Sequence, residues 1–354
     1  MTTGRPPKVI LLYRKPWHSR NFSIEISFDQ MLASFPAERG WVVEKVVCPF
    51  YSKGILSRLR ALRAVGRLQA DVYHITGDVH FLALALPRRR TVLTVHDCGF
   101  LYDRPRLRGW LLRSFWLDWP VRRCRAITAV SEATRQDILR NSSCEPSKVR
   151  VIPTVIAEHF RRAAPRPLSE RPCVLHVGLA PNKNFLRHVE ALAGVPCRLR
   201  VVGKLEPMHH EWLRRHQVEY THGFNLSAAE MQEAYGEADL LLFASTFEGF
   251  GMPVLEAQTV GRPVVTSNAS SLPEVAGDGA CLVDPFDVAS IRAGVVQVIE
   301  DAAYRAALVQ RGFENVKRFR PRTVASQYAD LYAEVLGGNG AAAGGESERR
   351  ERVG

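Results

Sequence analysis

The sequence predicts an α/β protein of two domains, each a parallel sheet with helices between its strands. The length of 354 residues is long for one domain and sufficient for two, each with its own core. Short apolar runs alternate along the chain with longer segments whose apolar residues have helical spacing. A polar, proline-rich segment, residues 160–172, separates two such series and indicates a linker. Two α/β halves in tandem imply a cleft between them, which is the usual place for a ligand.

The first domain is predicted to occupy residues 1–160. In an open parallel sheet, ligands gather at the carboxyl ends of the strands. Chemistry is therefore expected at four residues that follow apolar runs or end them: His74, Asp78, His96 and Asp97. The predicted strands are 8–14, 41–49, 71–77, 90–97, 126–131 and 148–154, and helical spacing covers 22–35 and 55–68.

Two basic segments of the first domain each allow two interpretations. In residues 55–68 we expect an apolar stripe on the core beneath a solvated arginine face, and we prefer this to membrane binding. Residues 106–125 mix tryptophan and phenylalanine with arginine, which suits a helix packed on its own sheet or a membrane interface. The packed helix is preferred here too. The apolar stripe of the first segment would consist of Ile55, Leu56, Leu59, Leu62 and Val65.

The second domain is predicted to occupy residues 172–319. A last helix, about 320–336, is expected to pack back on the first domain, and residues 337–354, rich in Gly, Ala, Glu and Arg, are expected to form a disordered tail. The predicted strands are 173–178, 198–204, 218–222, 238–245, 263–267 and 280–284, with helices near 184–193, 206–216 and 227–236 and two more within 287–319.

One stretch of the second domain, residues 238–261, combines a strand, a glycine loop and a helix. Pro253 suits the first helical position, and Gly261 suits the left-handed residue that follows a helix. A helix N-terminus offers unpaired N–H groups and the positive end of the helix dipole, which together favour an anion such as phosphate. Two carboxylates, Glu248 and Glu256, flank this terminus and make the stretch specific.

Charge and motif content exclude several classes of function. The formal net charge is +12 at pH 7, and most of the positive charge is arginine spread along the chain. Because no basic recognition helix, zinc spacing or aromatic RNA-binding motif is present, an anionic substrate or an anionic membrane surface is favoured over nucleic acid. No G-x-G-x-x-G motif follows the first strand, which counts against a dinucleotide dehydrogenase.

Cysteine usage and hydropathy suggest a cellular location. The seven cysteines are scattered and contain no C-x-x-C pair, which indicates reduced thiols rather than a disulfide framework or a zinc site. No signal peptide is recognised, and no apolar run approaches the roughly 20 residues that span a bilayer. We therefore expect a cytoplasmic protein, either free or peripheral on the inner face of the membrane.

The most specific motif is residues 248–256, where two glutamates are separated by seven residues that include two glycines. In this motif the chain resembles the family 4 glycosyltransferases, also called glycosyl transferases group 1. These are retaining enzymes with two facing Rossmann-like domains, the GT-B fold. Residues 261–268 and 272–280 continue the resemblance, which covers about residues 9–336 and is densest in the second half. Three shorter segments agree in the same order: 94–97, 127–132 and 176–184.

The resemblance implies a nucleoside-diphosphate sugar such as a GDP- or UDP-sugar as donor, a hydroxyl acceptor that is lipid-linked in some cases, no cofactor and no metal. Lys183 would supply a positive charge to the diphosphate, and Glu256 would bind the ribose hydroxyls. The two catalytic residues would be Glu248, on the transferred sugar, and His96, near the reaction centre. The diphosphate would bind the loop residues Gly249, Phe250, Gly251 and Met252, and the base would lie near residues 223–226.

Two features depart from the family pattern. Many relatives carry an arginine directly after the glycine of the first strand of the second domain, where this chain has Leu179. Arg187 and Lys204 are candidates to replace it. Many relatives also have a Gly-Gly pair after the very first strand, whereas this chain has residues 15–22 without glycine, which leaves the acceptor side open.

Two other functions compete with sugar transfer in polysaccharide, glycolipid or glycoconjugate synthesis. One is a GT-B enzyme of another kind, such as a nucleotide-sugar epimerase or a phosphorylase. A phosphorylase would need a pyridoxal-phosphate lysine late in the second domain, where lysines are nearly absent. The other is a non-catalytic nucleotide-sugar-binding or membrane-associated scaffold. Formation of a glycosylated product separates a transferase from both.

Overall fold

The computed structural model describes residues 5–15, 23–52, 54–101 and 113–337. The chain divides into two compact units, of which the first contains the chain up to Val155 and again from Pro321, and the second is Ile156–Arg320. The last predicted helix therefore belongs to the first unit, and residues 160–172 belong to the second. The predicted disordered tail lies, from residue 338 onward, outside the described residues.

A six-stranded parallel sheet forms the centre of the first unit. Its strands are β1 (Lys8–Tyr13), β2 (Val42–Val47), β3 (Val72–Ile75), β4 (Thr91–Val95), β5 (Ala126–Ala129) and β6 (Val149–Val151). The order β2-β1-β3-β4-β5-β6 makes β1 and β3 neighbours, with Leu11 opposite His74. The chain runs from β1 to β2 on one side and from β3 to β4 on the other, so the switch point of this sheet lies between β1 and β3.

Helices pack on both faces of the first sheet, because alternate residues of its strands point to opposite sides. Val9 and Leu11 pack in one core with α1 and the C-terminal helix (Pro321–Gly337). Ile10 and Leu12 pack in another core, on the opposite face, with the helices that contain Ala61, Val121 and Ile138. Among the described residues of the first unit, the helices that precede the C-terminal one are α1 (Ser23–Ala33), α2 (Ile55–Val65), α3 (Trp119–Arg123) and α4 (Glu132–Asn141).

Helix α2 shows that the expected core stripe was wrong in its first half. Ala61 and Val65 are buried, but Ile55, Leu56 and Leu59 are 77%, 72% and 49% exposed. The physical reason is that the residue one turn before Ala61 in the buried stripe is an arginine. Arg58 lies half-buried there, with its guanidinium stacked on two aromatic rings at 4.9 and 5.8 Å.

Of the predicted segment 106–125, the structure describes residues 113–125. Arg113–Asp118 is π-helical and leads directly into α3. Leu117 is buried in the core beneath, whereas Phe115 and Trp119 are each 47% exposed. This part of the segment packs on its own sheet, as preferred from the sequence, while leaving two aromatic rings on the surface.

The second unit also contains a six-stranded parallel sheet. Its strands are β7 (Cys173–Val177), β8 (Arg198–Val202), β9 (Tyr220–Gly223), β10 (Leu240–Phe243), β11 (Val264–Ser267) and β12 (Cys281–Val283). The order β12-β11-β10-β7-β8-β9 is that of a Rossmann fold, with the switch point between β7 and β10. The two sheets confirm the predicted α/β class with two Rossmann-like domains.

The helices of the second unit follow the predicted positions, with one addition. Helix α9 (Leu272–Ala276) is only five residues long, and it was not predicted because so short an element shows no periodicity. No helix in the described part of the chain is both long and apolar enough to cross a membrane. The seven helices are α5 (Phe185–Leu192), α6 (Pro207–Arg215), α7 (Ala228–Glu237), α8 (Met252–Val260), α9 (Leu272–Ala276), α10 (Val288–Glu300) and α11 (Ala302–Asn315).

Candidate functional site

The candidate site lies at the carboxyl ends of β7 and β10, the switch point of the second sheet. In such sheets the loops diverge at this point and leave a crevice for a ligand. The loop after β7 carries Lys183, and the loop after β10 carries Glu248 and leads into α8. The structure therefore brings together the predicted residues that lie in these two loops.

Two asparagines connect the loops after β7 and β10. Asn182 donates from Nδ2 to the carbonyl oxygen of Phe247 at 2.8 Å. Asn184 is buried, has a left-handed φ of 60°, and donates from Nδ2 to the carbonyl oxygens of Ala244 at 3.0 Å and Pro285 at 2.6 Å. These bonds hold Lys183, which lies between the two asparagines, against the neighbouring loop. Sequence reasoning did not identify either asparagine as a positioning residue.

Two serines fix the backbone around Glu248. Ser270 donates from Oγ to the carbonyl oxygen of Glu248 at 2.6 Å, and Ser271 donates from Oγ to the carbonyl oxygen of Phe250 at 2.7 Å. Ser271 is fully buried. The carbonyl groups are thereby turned toward the serines, and the N–H of Glu248 donates in turn to Ser270 Oγ at 3.2 Å.

Gly251 begins helix α8 in a conformation that a side chain would oppose. Its φ is 111°, and an added Cβ would lie only 2.5 Å from Cδ2 of the buried Leu272. Within the described parts of the chain, no residue accepts a hydrogen bond from the N–H groups of Phe250, Gly251 and Met252. Gly249 lies half-buried in the same loop. These N–H groups lie at a helix N-terminus, a position that favours an anion.

Lys183 and Glu248 form an ion pair across the crevice. Lys183 Nζ lies 2.6 Å from Glu248 Oε1, and the two side chains are 21% and 11% exposed. Gly178, with a φ of 87°, leaves room for the lysine, since an added Cβ would lie 3.2 Å from Lys183 Cε. An ammonium group has three N–H donors, so Lys183 holds Glu248 with one and retains others for an anion.

Glu256 projects from α8 toward Tyr235 of α7. The hydroxyl of Tyr235 donates to Glu256 Oε2 at 2.6 Å. Burial raises the pKa of Glu256 to about 7, although the hydrogen bond from Tyr235 and the charge of Lys183 both act to lower it. No signal in the sequence marks Tyr235 as a partner, because the contact depends on how two helices pack on the sheet.

A buried histidine pair lies beneath the loop after β7. His176 Nε2 lies 2.6 Å from the carbonyl oxygen of Gly178, and its Nδ1 lies 2.9 Å from His188 Nδ1. His188 Nε2 in turn lies 3.3 Å from the carbonyl oxygen of Ala244. Burial lowers the pKa of His176 to about 4 and that of His188 well below its usual value, so the pair is neutral.

The neutral pair carries two N–H groups for three contacts, which decides its tautomers. His176 donates from Nε2 to Gly178, and His188 donates from Nδ1 to His176 Nδ1. The contact left without a proton is the longest, from His188 Nε2 to Ala244. The pair thus links β7 to α5 and supports the backbone at the start of the Lys183 loop, a function that sequence reasoning missed.

His96 lies in the first unit, at the carboxyl end of β4. It is half-buried and donates from Nε2 to the carbonyl oxygen of Thr76 at 2.8 Å, which leaves Nδ1 as an acceptor. Phe28 meets its ring edge-on, with centroids 6.2 Å apart. The neighbouring strand-end residue His74 is instead structural, since it is fully buried between hydroxyl groups of Thr94 and Tyr332, each at 2.7 Å.

Other strand-end residues of the first unit form local structure. Arg14 donates from Nη1 to Asp78 and from Nε to Glu25, each at 2.7 Å. Asp97 accepts from the N–H of Gly99 at 2.8 Å and stabilises a turn. Of the four strand-end residues predicted from the sequence, Asp78 and Asp97 are exposed, His96 is half-buried and His74 is fully buried.

Leu179 stands where many relatives carry an arginine, and this residue and its two candidate replacements have other contacts. Leu179 packs against Gly203, where an added Cβ would lie 3.1 Å from Leu179 Cδ1. Arg187 donates from Nη1 to Asn184 Oδ1 at 3.0 Å and so supports the loop. Lys204 is exposed just beyond β8. In the described parts of the chain, no group of three or more His, Cys, Asp or Glu residues is placed to hold a metal ion.

Known proteins are similar to this chain in sequence and in fold. The family model described as Glycosyl transferases group 1 matches residues 159–315, and that of Glycosyltransferase Family 4 matches residues 28–159. The structure of HepE from Anabaena in complex with UDP-glucose has a TM-score of 0.72 at 17% identity, covering 93% of this chain and 100% of that one.

Among curated relatives, O-antigen chain mannosyltransferase B of Escherichia coli is 40% identical over 98 residues, which are 28% of this chain and 26% of that protein. MMP alpha-(1→4)-mannosyltransferase of Mycolicibacterium hassiacum is 27% identical over 248 residues, which are 66% of this chain and 60% of that protein. The matches thus span from about a quarter to three fifths of these relatives' length. The two family models together extend over both units, and the chain belongs to the family 4 glycosyltransferases of GT-B fold.

Proposed function

We propose that this protein is a retaining glycosyltransferase that moves a sugar from a nucleoside-diphosphate sugar to a hydroxyl acceptor. The observation that supports this most directly is the arrangement at the second switch point. There the ion pair of Lys183 and Glu248 lies beside the free N–H groups that begin α8, with Glu256 four residues further on. Membership in the family favours transfer over a scaffold or an epimerase.

Each part of the donor has a matching group in this site. The diphosphate would accept hydrogen bonds from the N–H groups of Phe250, Gly251 and Met252 and from Lys183. Hydrogen bonds to charged groups contribute about 1.5–3 kcal/mol each. Glu256 offers its Oε1 to the ribose hydroxyls, since Tyr235 occupies Oε2.

The reaction itself would depend on charge stabilisation and positioning. As the bond from the anomeric carbon to the diphosphate breaks, negative charge grows on the leaving group, where the N–H groups and Lys183 are already oriented. Glu248, held by Lys183, would orient hydroxyls of the transferred sugar, and His96 would support the reaction centre. The acceptor hydroxyl would attack the anomeric carbon on the face from which the diphosphate departs, and its proton would pass to a phosphate oxygen of the leaving group. This retains the anomeric configuration, and no metal would be required.

The relatives narrow the classes of donor and acceptor to test. Both curated relatives described above are mannosyltransferases by name, one for an O-antigen chain, and the Anabaena structure contains UDP-glucose. We therefore propose a GDP- or UDP-sugar donor and a glycan or lipid-linked acceptor. A cytoplasmic location, where nucleotide sugars are made, and peripheral contact with an anionic membrane complete the proposal.

The first experiment is a thermal-stability screen of purified protein with GDP-mannose, UDP-glucose and related nucleotide sugars. A ligand at about 100 times its dissociation constant adds roughly 2.7 kcal/mol, which is easily detected. The donor so identified is then used to measure transfer and slow hydrolysis in the wild type, in Glu248→Ala and in His96→Ala. Glu211→Ala, on the exposed surface of α6, is the matched control.

We expect both variants to lose most of the turnover while the control retains it. NMR of the product should show the donor's anomeric configuration, and EDTA should leave the rate unchanged. A protein that binds a nucleotide sugar but turns it over equally in all four forms would contradict the roles of Glu248 and His96. Binding with no turnover in the wild type would favour the scaffold.

A further inference from the structure

The first unit carries a surface on which large apolar side chains and arginines alternate. Its apolar members, all exposed, are Ile55, Leu56 and Leu59 of α2 together with Phe115 and Trp119. On a helical projection of α2, Arg60 and Arg63 fall on the same side as the three aliphatic residues. We call this set the arginine–apolar surface.

The two segments that carry these residues are in contact with each other. The guanidinium of Arg58 in α2 stacks on the ring of Trp116 at 4.9 Å and lies 5.8 Å from that of Phe81. Within the same aromatic segment, residues 115–119, Phe115 packs edge-on against Trp119 with centroids 4.5 Å apart. Helix α2 and the aromatic segment are therefore fixed beside each other.

The charge of the surface is strongly one-sided. Residues 55–67, 80–90 and 113–125 contain many arginines and a single carboxylate, Asp118. That carboxylate is already engaged, since it accepts from the N–H of Ser143 at 2.7 Å and lies 3.8 Å from Arg122. Nothing within these three segments therefore neutralises the remaining arginines.

Scattered apolar residues are normal on protein surfaces and need no partner. Here, however, the helix has a separate buried stripe in Ala61 and Val65, so the exposed leucines are not needed for the core. An exposed tryptophan beside an exposed phenylalanine, ringed by arginine, has the composition of a membrane–water interface. An acidic protein partner would match the charge but would leave the interleaved apolar residues without a similar match.

We propose that the arginine–apolar surface binds an anionic lipid bilayer, with the arginines at the headgroups and the apolar side chains inserted between them. The surface holds none of the donor-site residues, so the inference depends on the proposed function only for its purpose, which is to bring the enzyme to a lipid-linked acceptor. Lipid binding and nucleotide-sugar binding are measured in separate assays, so either proposal can be refuted without the other.

The test is flotation of the full chain with vesicles of phosphatidylcholine containing 40% phosphatidylglycerol, compared with phosphatidylcholine alone. We expect binding to the anionic vesicles in 50 mM salt, weaker binding in 300 mM salt because the shorter Debye length screens the charges, and little binding to neutral vesicles. Wild-type protein that remains unbound at 50 mM salt would overturn the proposal, as would equal binding to both vesicle types.

Substitutions locate the contact. Leu56→Ser should weaken vesicle binding about tenfold or more, since it removes one inserted side chain. The paired change Arg60→Gln with Arg63→Gln should weaken it about 25-fold, at about fivefold per arginine. Matched controls in the second unit are Phe286→Ser, at 62% exposure, and Arg214→Gln.

The controls should bind vesicles as the wild type does, and every variant should keep its thermal midpoint and its stabilisation by the nucleotide sugar. Equal losses in the control variants would overturn the assignment to this surface. Capture by polyglutamate as strong as by vesicles, with the same loss in Leu56→Ser, would replace the lipid by an acidic protein partner.

Discussion

The protonation of Glu256 leads to a test of the donor site that needs no knowledge of the acceptor. Burial raises the pKa of Glu256 to about 7, whereas an exposed glutamate ionises near 4.5. Tyr235 already donates to one carboxylate oxygen, and ribose hydroxyls would donate to the other, which requires the ionised form. Donor binding should therefore strengthen as the pH rises through 7, and it should release a proton below that pH.

The size of the effect follows from the pKa. About one tenth of Glu256 is ionised at pH 6 and about nine tenths at pH 8, so the apparent affinity should differ about tenfold between them. The diphosphate of a nucleotide sugar does not contribute, because it lacks the phosphomonoester ionisation near pH 6. The folding stability of the free protein depends on pH in the opposite sense to donor affinity. The contribution of Glu256 to stability is complete below about pH 4.5 and is lost as the pH rises through about 7.

The assay is titration calorimetry with the nucleotide sugar found in the stability screen, at pH 6, 7 and 8 and in two buffers that differ in ionisation enthalpy. Glu256→Gln is the matched control, since it keeps the shape and cannot titrate. Its affinity should be lower at pH 8 and independent of pH, and between pH 5 and 8 its thermal midpoint should rise relative to that of the wild type.

A wild-type affinity that is flat from pH 6 to 8 would refute the reasoning. The same slope in Glu256→Gln would assign the titration to another group and would also refute the reasoning. If donor binding released the same number of protons from the wild type and from Glu256→Gln, the reasoning would likewise be refuted.

Three further predictions concern the second unit and the thiols. Lys183→Met should weaken nucleotide-sugar binding about ten- to a hundredfold in calorimetry, because it removes a charged hydrogen bond of about 1.5–3 kcal/mol, whereas Lys204→Met should change it less than about threefold. Gly251→Ala should lower urea stability by more than the roughly 1–2 kcal/mol of a left-handed residue, since its Cβ would meet Leu272; a smaller cost is expected in a Leu272→Ala background, and an equal cost would contradict the contact. All seven cysteines are buried, and burial raises the pKa of Cys98 to about 12, so a thiol reagent at pH 8 should label none before unfolding; rapid labelling of the native protein would contradict this.

Most of the fold was predictable because its signals are local. Most strands are apolar runs bounded by polar residues, and burial on both faces of a parallel sheet requires such runs. The edge strands β2 and β9 are largely exposed and contain polar residues. The glycines and Pro253 around α8 mark their own conformations, so the helix was predicted to begin at Pro253, one residue after its observed start at Met252. Lys183 and Glu248 were selected by resemblance to a family, and the structure places them 2.6 Å apart.

Contacts between elements were the part that the sequence did not reveal. Tyr235 meets Glu256 across two helices, and His188 meets His176 between a helix and a strand. Neither pair has a spacing that distinguishes it from ordinary packing. The asparagines that connect the two loops are likewise ordinary turn residues until the loops are placed side by side.

Helix α2 shows most clearly what the sequence determines and what only the tertiary structure decides. Its helical period and its many arginines are evident from the chain alone, because periodicity is a property of neighbouring residues. Which side of the helix meets the sheet was not evident, and the expected stripe placed Ile55 and Leu56 in the core. Packing against Trp116 and Phe81 draws Arg58 inward instead and turns those two residues outward, because the orientation of a helix is set by the surface beneath it.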